Sequence, residues 1–138
     1  MSTPVEPWQP ILDSFKQLHS AWPLPDWSWD HRFKCVTSSF AAAAIPGVRT
    51  MLDPVFGAEW TPETLANGPE DVRALAERCG GLRPGQLLLT GTVVAGLMPF
   101  ALWWPWGDGA MLSVRLGIAN SDRPKDLYPV LRSTFGIK

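Results

Sequence analysis

Lys34, Thr90 and Thr92 are the side chains best suited to hold a small anion. A lysine ammonium is a compact point charge that neutralises a carboxylate or an enolate. Thr90-Gly91-Thr92 joins two hydroxyl donors to a glycine that lets backbone come close to a ligand. The plain alternatives are a surface cation at a strand end and a β turn or bulge. His31, three residues before Lys34, and Asp108 are the candidate general bases. Arg115 can pair with a ligand carboxylate or simply be solvated. Trp103 and Trp104 can stack on a planar ligand, form a protein contact, or pack as core at a hairpin edge.

Other chemistries lack their residues. Cys35 and Cys79 form no CxxC or Cys/His ligand pattern, and neither has a base placed beside it. The two histidines, His19 and His31, are not spaced as an i, i+4 ligand pair. There is no Glu-x-Glu, no GxSxG elbow, no GxGxxG and no P-loop. No metal and no cofactor is therefore expected.

The chain that must position these groups has 138 residues, the size of one ordinary domain spanning residues 1–138. Its hydrophobic fraction of 46% and charged fraction of 18% exclude a disordered chain. Twelve basic against 13 acidic residues give a net charge of -1. Without an overall basic field, no nucleic-acid partner is expected. The two cysteines read as buried thiols in a reducing cytoplasm, with a single disulfide left open. Residues 1–10 carry Glu6 and three prolines and lack the charged-then-apolar pattern of a signal peptide. Pro84 to Gly107 holds no charge and is long enough to cross a bilayer. However, Pro99, Pro105, Gly91 and Gly96 oppose a helix there, and Thr90, Thr92, Val93 and Val94 favour strands. The run is expected as two buried strands, with membrane insertion as the competing reading.

Trp8, Ile11, Leu12, Phe15, Leu18 and Trp22 recur at helical spacing, with Pro10 in the first turn and Pro23 at the stop. The proline- and Trp-rich stretch 23–32 reads as a connector. A strand follows from Phe33 to Phe40. Ala41 to Ala44 begin a helical turn that Pro46-Gly47 punctuates. Thr61 and Pro62 open another turn. A second helix covers Pro69 to Cys79 through the stripe Val72, Leu75, Ala76 and Cys79, and Gly80-Gly81 end it. Three strands are expected: Gln86 to Val94, Leu97 to Trp106, and Ala110 to Ile118. Gly107-Asp108-Gly109 turns between the last two. Asp126 caps a closing helix that Gly136 terminates. These elements predict an α+β fold: a largely antiparallel sheet of about four strands flanked by two to three helices.

Two segments resemble the fumarylacetoacetate hydrolase superfamily, in its 2-oxopent-4-enoate (2-keto-4-pentenoate) hydratase branch. In Phe33 to Gly57, the residues Lys34, Thr37, Ser38, Gly47, Val48, Pro54, Phe56 and Gly57 match that branch's early motif in order. Gly68 to Thr92 resembles its Leu-Ala helix, Pro-Gly turn and Thr-Gly-Thr strand end. Gly107-Asp108 and Ser113-Val114-Arg115 fall where the family has a Gly-Asp turn and a closing strand. Together these pieces span under half the chain. The family's metal-binding middle is missing, so a Mg²⁺ site has no visible ligands.

The resemblance implies a hydratase-like protein of lyase or isomerase character. It would bind an unsaturated 2-oxo or enol acid and promote hydration, tautomerisation or isomerisation without a conventional metal site. Lys34 would hold the anion, and Thr90 and Thr92 would supply hydrogen bonds. The alternative is a non-catalytic interaction module. In it, a Trp-rich hairpin would form a homodimer or bind a partner protein.

Overall fold

A computed structural model describes residues 6–22 and 27–137. Six strands form one sheet in the order β1-β2-β6-β5-β4-β3, with every neighbouring pair antiparallel. They are β1 (Ser28–Asp30), β2 (Cys35–Ala41), β3 (Ala58–Trp60), β4 (Leu87–Thr90), β5 (Met98–Pro105) and β6 (Met111–Ala119). The α+β class holds, but the sheet has six strands rather than four. The two additional ones, β1 and β3, are three-residue edge strands, too short to show any alternation. There are five helices among the described residues: α1 (Gln9–Ala21), α2 (Ile45–Leu52), α3 (Pro62–Leu65), α4 (Glu70–Arg78) and α5 (Pro124–Thr134).

The uncharged run folds back on itself. β4 ends at Thr90, Ala95 (φ 52) and Gly96 (φ 81) supply the two left-handed residues of the turn, and β5 returns beside β4. Such primed turns match the natural twist of a hairpin. Among the described residues, no helix is long and apolar enough to cross a membrane. The reading of this run as one membrane-spanning rod is thereby overturned. The next hairpin joins β5 and β6 over eight residue pairs, from Met98 opposite Ala119 to Pro105 opposite Leu112.

Helix α2 revises the punctuation expected at Pro46. The 3-10 turn Ala42–Ala44 runs straight into it, and Pro46 sits in its first turn. A proline there gives up only an N–H that has no intrahelical partner, so it opens the helix. Helix α5 likewise starts at Pro124, with Asp126 inside its first turn rather than at its cap. The expected stop of α1 at Pro23 lies outside the described residues. The helix ends at Ala21 with Trp22 as its cap residue.

Alternation along the strands separates two faces. Val36, Phe40, Leu112, Val114, Leu116 and Trp103 point to one side and meet α1, α2 and α5. Phe15 is fully buried there, with ring centres 6.2 Å from Phe56 and 5.9 Å from Phe135. On the other side, Cys35, Leu88, Phe100 and Leu102 meet the α4 stripe of Val72, Leu75, Ala76 and Cys79. Gly117 makes this second contact possible: a Cβ there would lie 2.5 Å from the Phe100 ring and 3.2 Å from Cys35 Cβ.

Candidate anion-binding site

The turn between β1 and β2 is built by one carboxylate. Asp30 Oδ1 accepts the backbone N–H groups of Arg32 and Phe33, both at 2.9 Å. Asp30 Oδ2 accepts Arg115 Nε at 2.8 Å. Burial raises the Asp30 carboxyl, but the Arg115 hydrogen bond and the two backbone donors outweigh it and hold the group below its ordinary value. The Lys34 N–H closes the turn on the Asp30 carbonyl at 2.9 Å. Lys34 is thereby held in the left-handed region, at φ 56. Glycine or asparagine is the less costly residue in that conformation.

Three cationic side chains line a cleft of about 270 Å³ beside this turn. Arg32 and Lys34 come from the turn, and Arg78 comes from the last turn of α4. Asn120, Ser121 and Tyr128 add polar groups, and Phe33 and Cys79 also line the cleft. No aspartate or glutamate lines this cleft. Among the described residues, none of Arg32, Lys34 or Arg78 is in an ion pair. Like charges gathered in one concavity raise the local concentration of anions.

Lys34 and the threonines do not share this cleft. β4 and β2 are separated by β5 and β6, so Thr90 and Lys34 stand roughly 14 Å apart on strand spacing alone. The Thr90 hydroxyl is buried and accepts the Trp60 indole N–H at 3.0 Å. The close approach that Gly91 permits is taken by protein: a Cβ there would lie 2.5 Å from the Val55 carbonyl oxygen. Thr92 is exposed in the β4–β5 loop. The expected niche joining these residues therefore fails on strand order, which no local pattern encodes.

The remaining candidates also scatter. His31 is exposed in the Lys34 turn and does not line the cleft. Asp108 accepts the Ala110 N–H at 2.9 Å in the β5–β6 turn, the length of β6, roughly 25 Å, from Lys34. Arg115 is committed to Asp30 and lies 4.5 Å over the Trp104 ring. Trp103 is buried on the helix-covered face, and Trp104 is half-buried on the other. Cys35 and Cys79 are free, buried thiols, and burial pushes both up, so neither is a thiolate nucleophile at neutral pH.

Sequence reasoning missed Arg32, Phe33 and Arg78, and it missed Asp30 as the organiser of the first two. Asp30 carried a readable signal, since aspartate bonds backbone groups two and three residues on in tight turns. Arg78 was legible only as a partner of the helix dipole. A divalent metal does not fit here. The cleft lining is cationic, and no three His, Cys, Asp or Glu side chains cluster among the described residues.

Fold and cleft together define an α+β protein with a cationic pocket on the less covered face of an antiparallel sheet. The chain matches no family model, no curated protein and no solved structure.

Proposed function

We propose that this protein binds a small organic acid in the Lys34 cleft. The observation that carries the reading is a concavity rimmed by Lys34, Arg32 and Arg78 with no carboxylate in its lining. The resemblance to the 2-oxopent-4-enoate hydratase branch points to an unsaturated 2-oxo or enol acid as the class of ligand. Lys34 and the two guanidinium groups would stabilise its carboxylate and any enolate form. No aspartate, glutamate or histidine lines the cleft to act as general base, so the reading favours binding over turnover.

Calorimetric titration with 2-oxopent-4-enoate, paired with ultraviolet absorbance of the same mixture, tests this. Saturable binding is expected, weakened at least tenfold in Lys34→Asn. Asparagine accommodates the left-handed backbone, so the folded state should be at least as stable as the parent. Absence of binding, or equal binding by parent and variant, would remove the proposal.

A further inference from the structure

A second cleft of about 200 Å³ adjoins the first, and the two have Arg32, Phe33 and Cys79 in common. The part that it does not share is lined by Arg83, Gln86, Trp104 and Gly80-Gly81. Arg83 is held at the backbone by a reciprocal clasp: its N–H donates to Gln86 Oε1 at 2.9 Å, and the Gln86 N–H donates to its carbonyl at 2.9 Å. No acidic residue lines this cleft either, and Arg83 has no ion pair among the described residues. Phe33 stands between the chambers, its ring edge-on to Trp104 at 5.4 Å, with the Arg32 guanidinium 4.8 Å over its face.

Each chamber alone falls below the range of about 300–1,000 Å³ typical of small-molecule sites, and joined they fall inside it. Cations stand at both ends, and Arg32 is shared in the middle. We propose that the two clefts form one bipartite site for an elongated organic dianion. One acidic group meets Lys34 and Arg78, the other meets Arg83, and the apolar body crosses Phe33. This rests on the reading of the Lys34 cleft as an anion site and adds what that reading leaves open: two charges and a defined length between them. The aromatic ridge favours a carbon chain over a compact polyanion, because inorganic ions gain nothing from an apolar contact.

The test is calorimetric titration of the full chain with straight-chain α,ω-dicarboxylates from succinate to sebacate, each compared with the monocarboxylate of equal length. Affinity should peak at one chain length and exceed the matched monocarboxylate at least tenfold there. Arg83→Gln, a surface change, should abolish that advantage and leave monocarboxylate affinity within twofold. Lys34→Asn should weaken both series. Equal affinity for the two series, or an advantage that survives Arg83→Gln, overturns the bipartite site while leaving the Lys34 cleft standing. Failure of every carboxylate to bind overturns both.

Discussion

The two faces of the sheet are built to different ends. The face under α1, α2 and α5 is packed almost entirely with aliphatic and aromatic side chains, and its strand residues are nearly all buried. The opposite face is apolar only where α4 lies over Phe100, Leu102 and Cys35. Beyond α4 it carries Arg115, Ser113, Ser39 and Thr37, and at its margin the two cationic clefts open. A dry, continuous core supplies most of the free energy of folding. A partly covered face leaves polar groups in reach of solutes and fixes them by hydrogen bonds instead of burial. Under the proposed function, stability and recognition fall on opposite sides of the same strands.

The strongest way to break this division is to damage the covered face. Phe15→Ala should cost about 3–5 kcal/mol, the usual loss for a buried aromatic whose neighbours close only partly around the hole. Urea denaturation measures it. The variant's folded fraction should keep the parent's affinity for carboxylates, because Phe15 touches neither cleft. A fall in affinity that tracked the fall in stability would show that the faces are coupled.

A smaller effect is expected from Asp30→Asn, which attacks the other face. Asparagine keeps an oxygen for the Arg32 and Phe33 N–H groups but leaves Arg115 without its carboxylate. About 2 kcal/mol should be lost at neutral pH, the scale of a hydrogen bond to a charged group that is largely shielded from water. Because Asp30 has a depressed pKa in the folded state, its contribution is complete above the ordinary carboxyl value of 3.8 and fades as the pH falls through the folded value. The gap between parent and variant should therefore be constant from pH 5 to 7 and close below pH 3.8. Carboxylate affinity should drop as well, since the turn that presents Arg32 and Lys34 loses its tie to Arg115 on β6. A gap that widened on acidification would refute the role given to this carboxylate.

The same contrast explains what could be read in advance. The covered face writes itself into local periodicity: the α1 stripe, the α4 stripe and the alternation of Leu112, Val114, Leu116 and Ile118 each repeat at the spacing of their element. Turn chemistry at Gly107-Asp108-Gly109 marked β5 and β6 as hairpin neighbours, whereas the left-handed Ala95-Gly96 pair between β4 and β5 emerged only in the structure. The site side depends on partners far apart in sequence. Asp30 and Arg115 are 85 residues apart, and β2 joins the sheet through β6 rather than beside β4. Lys34 was found for its charge, but Arg78 beside it in the cleft, and Arg83 in the adjoining one, required knowing that α4 ends near the β1–β2 turn.

The smallest effect is expected at Trp106, and it bears on the reading of the tryptophan-rich hairpin as a contact surface. The three indoles of that segment divide among environments: Trp103 is buried under the helices, Trp104 lines a cleft, and Trp106 is 48% exposed. Among the described residues, the other large exposed apolar side chains, Val93 and Val130, lie at the far end of β5 and on α5, so they add nothing to a patch at the hairpin. Isolated apolar residues of this kind are ordinary surface. Trp106 Nε1 donates to Ser113 Oγ at 2.9 Å, and Ser113 is in turn bonded to Ser39 at 2.7 Å, so the ring caps a small polar pair on the open face. Trp106→Ala should cost no more than about 1 kcal/mol, one neutral hydrogen bond, and should leave the molar mass from light scattering unchanged. Trp103→Ala would instead open the core and report on folding alone. A dimer in the parent that dissociates in Trp106→Ala would move recognition from the clefts to the hairpin and reverse the assignment of the open face.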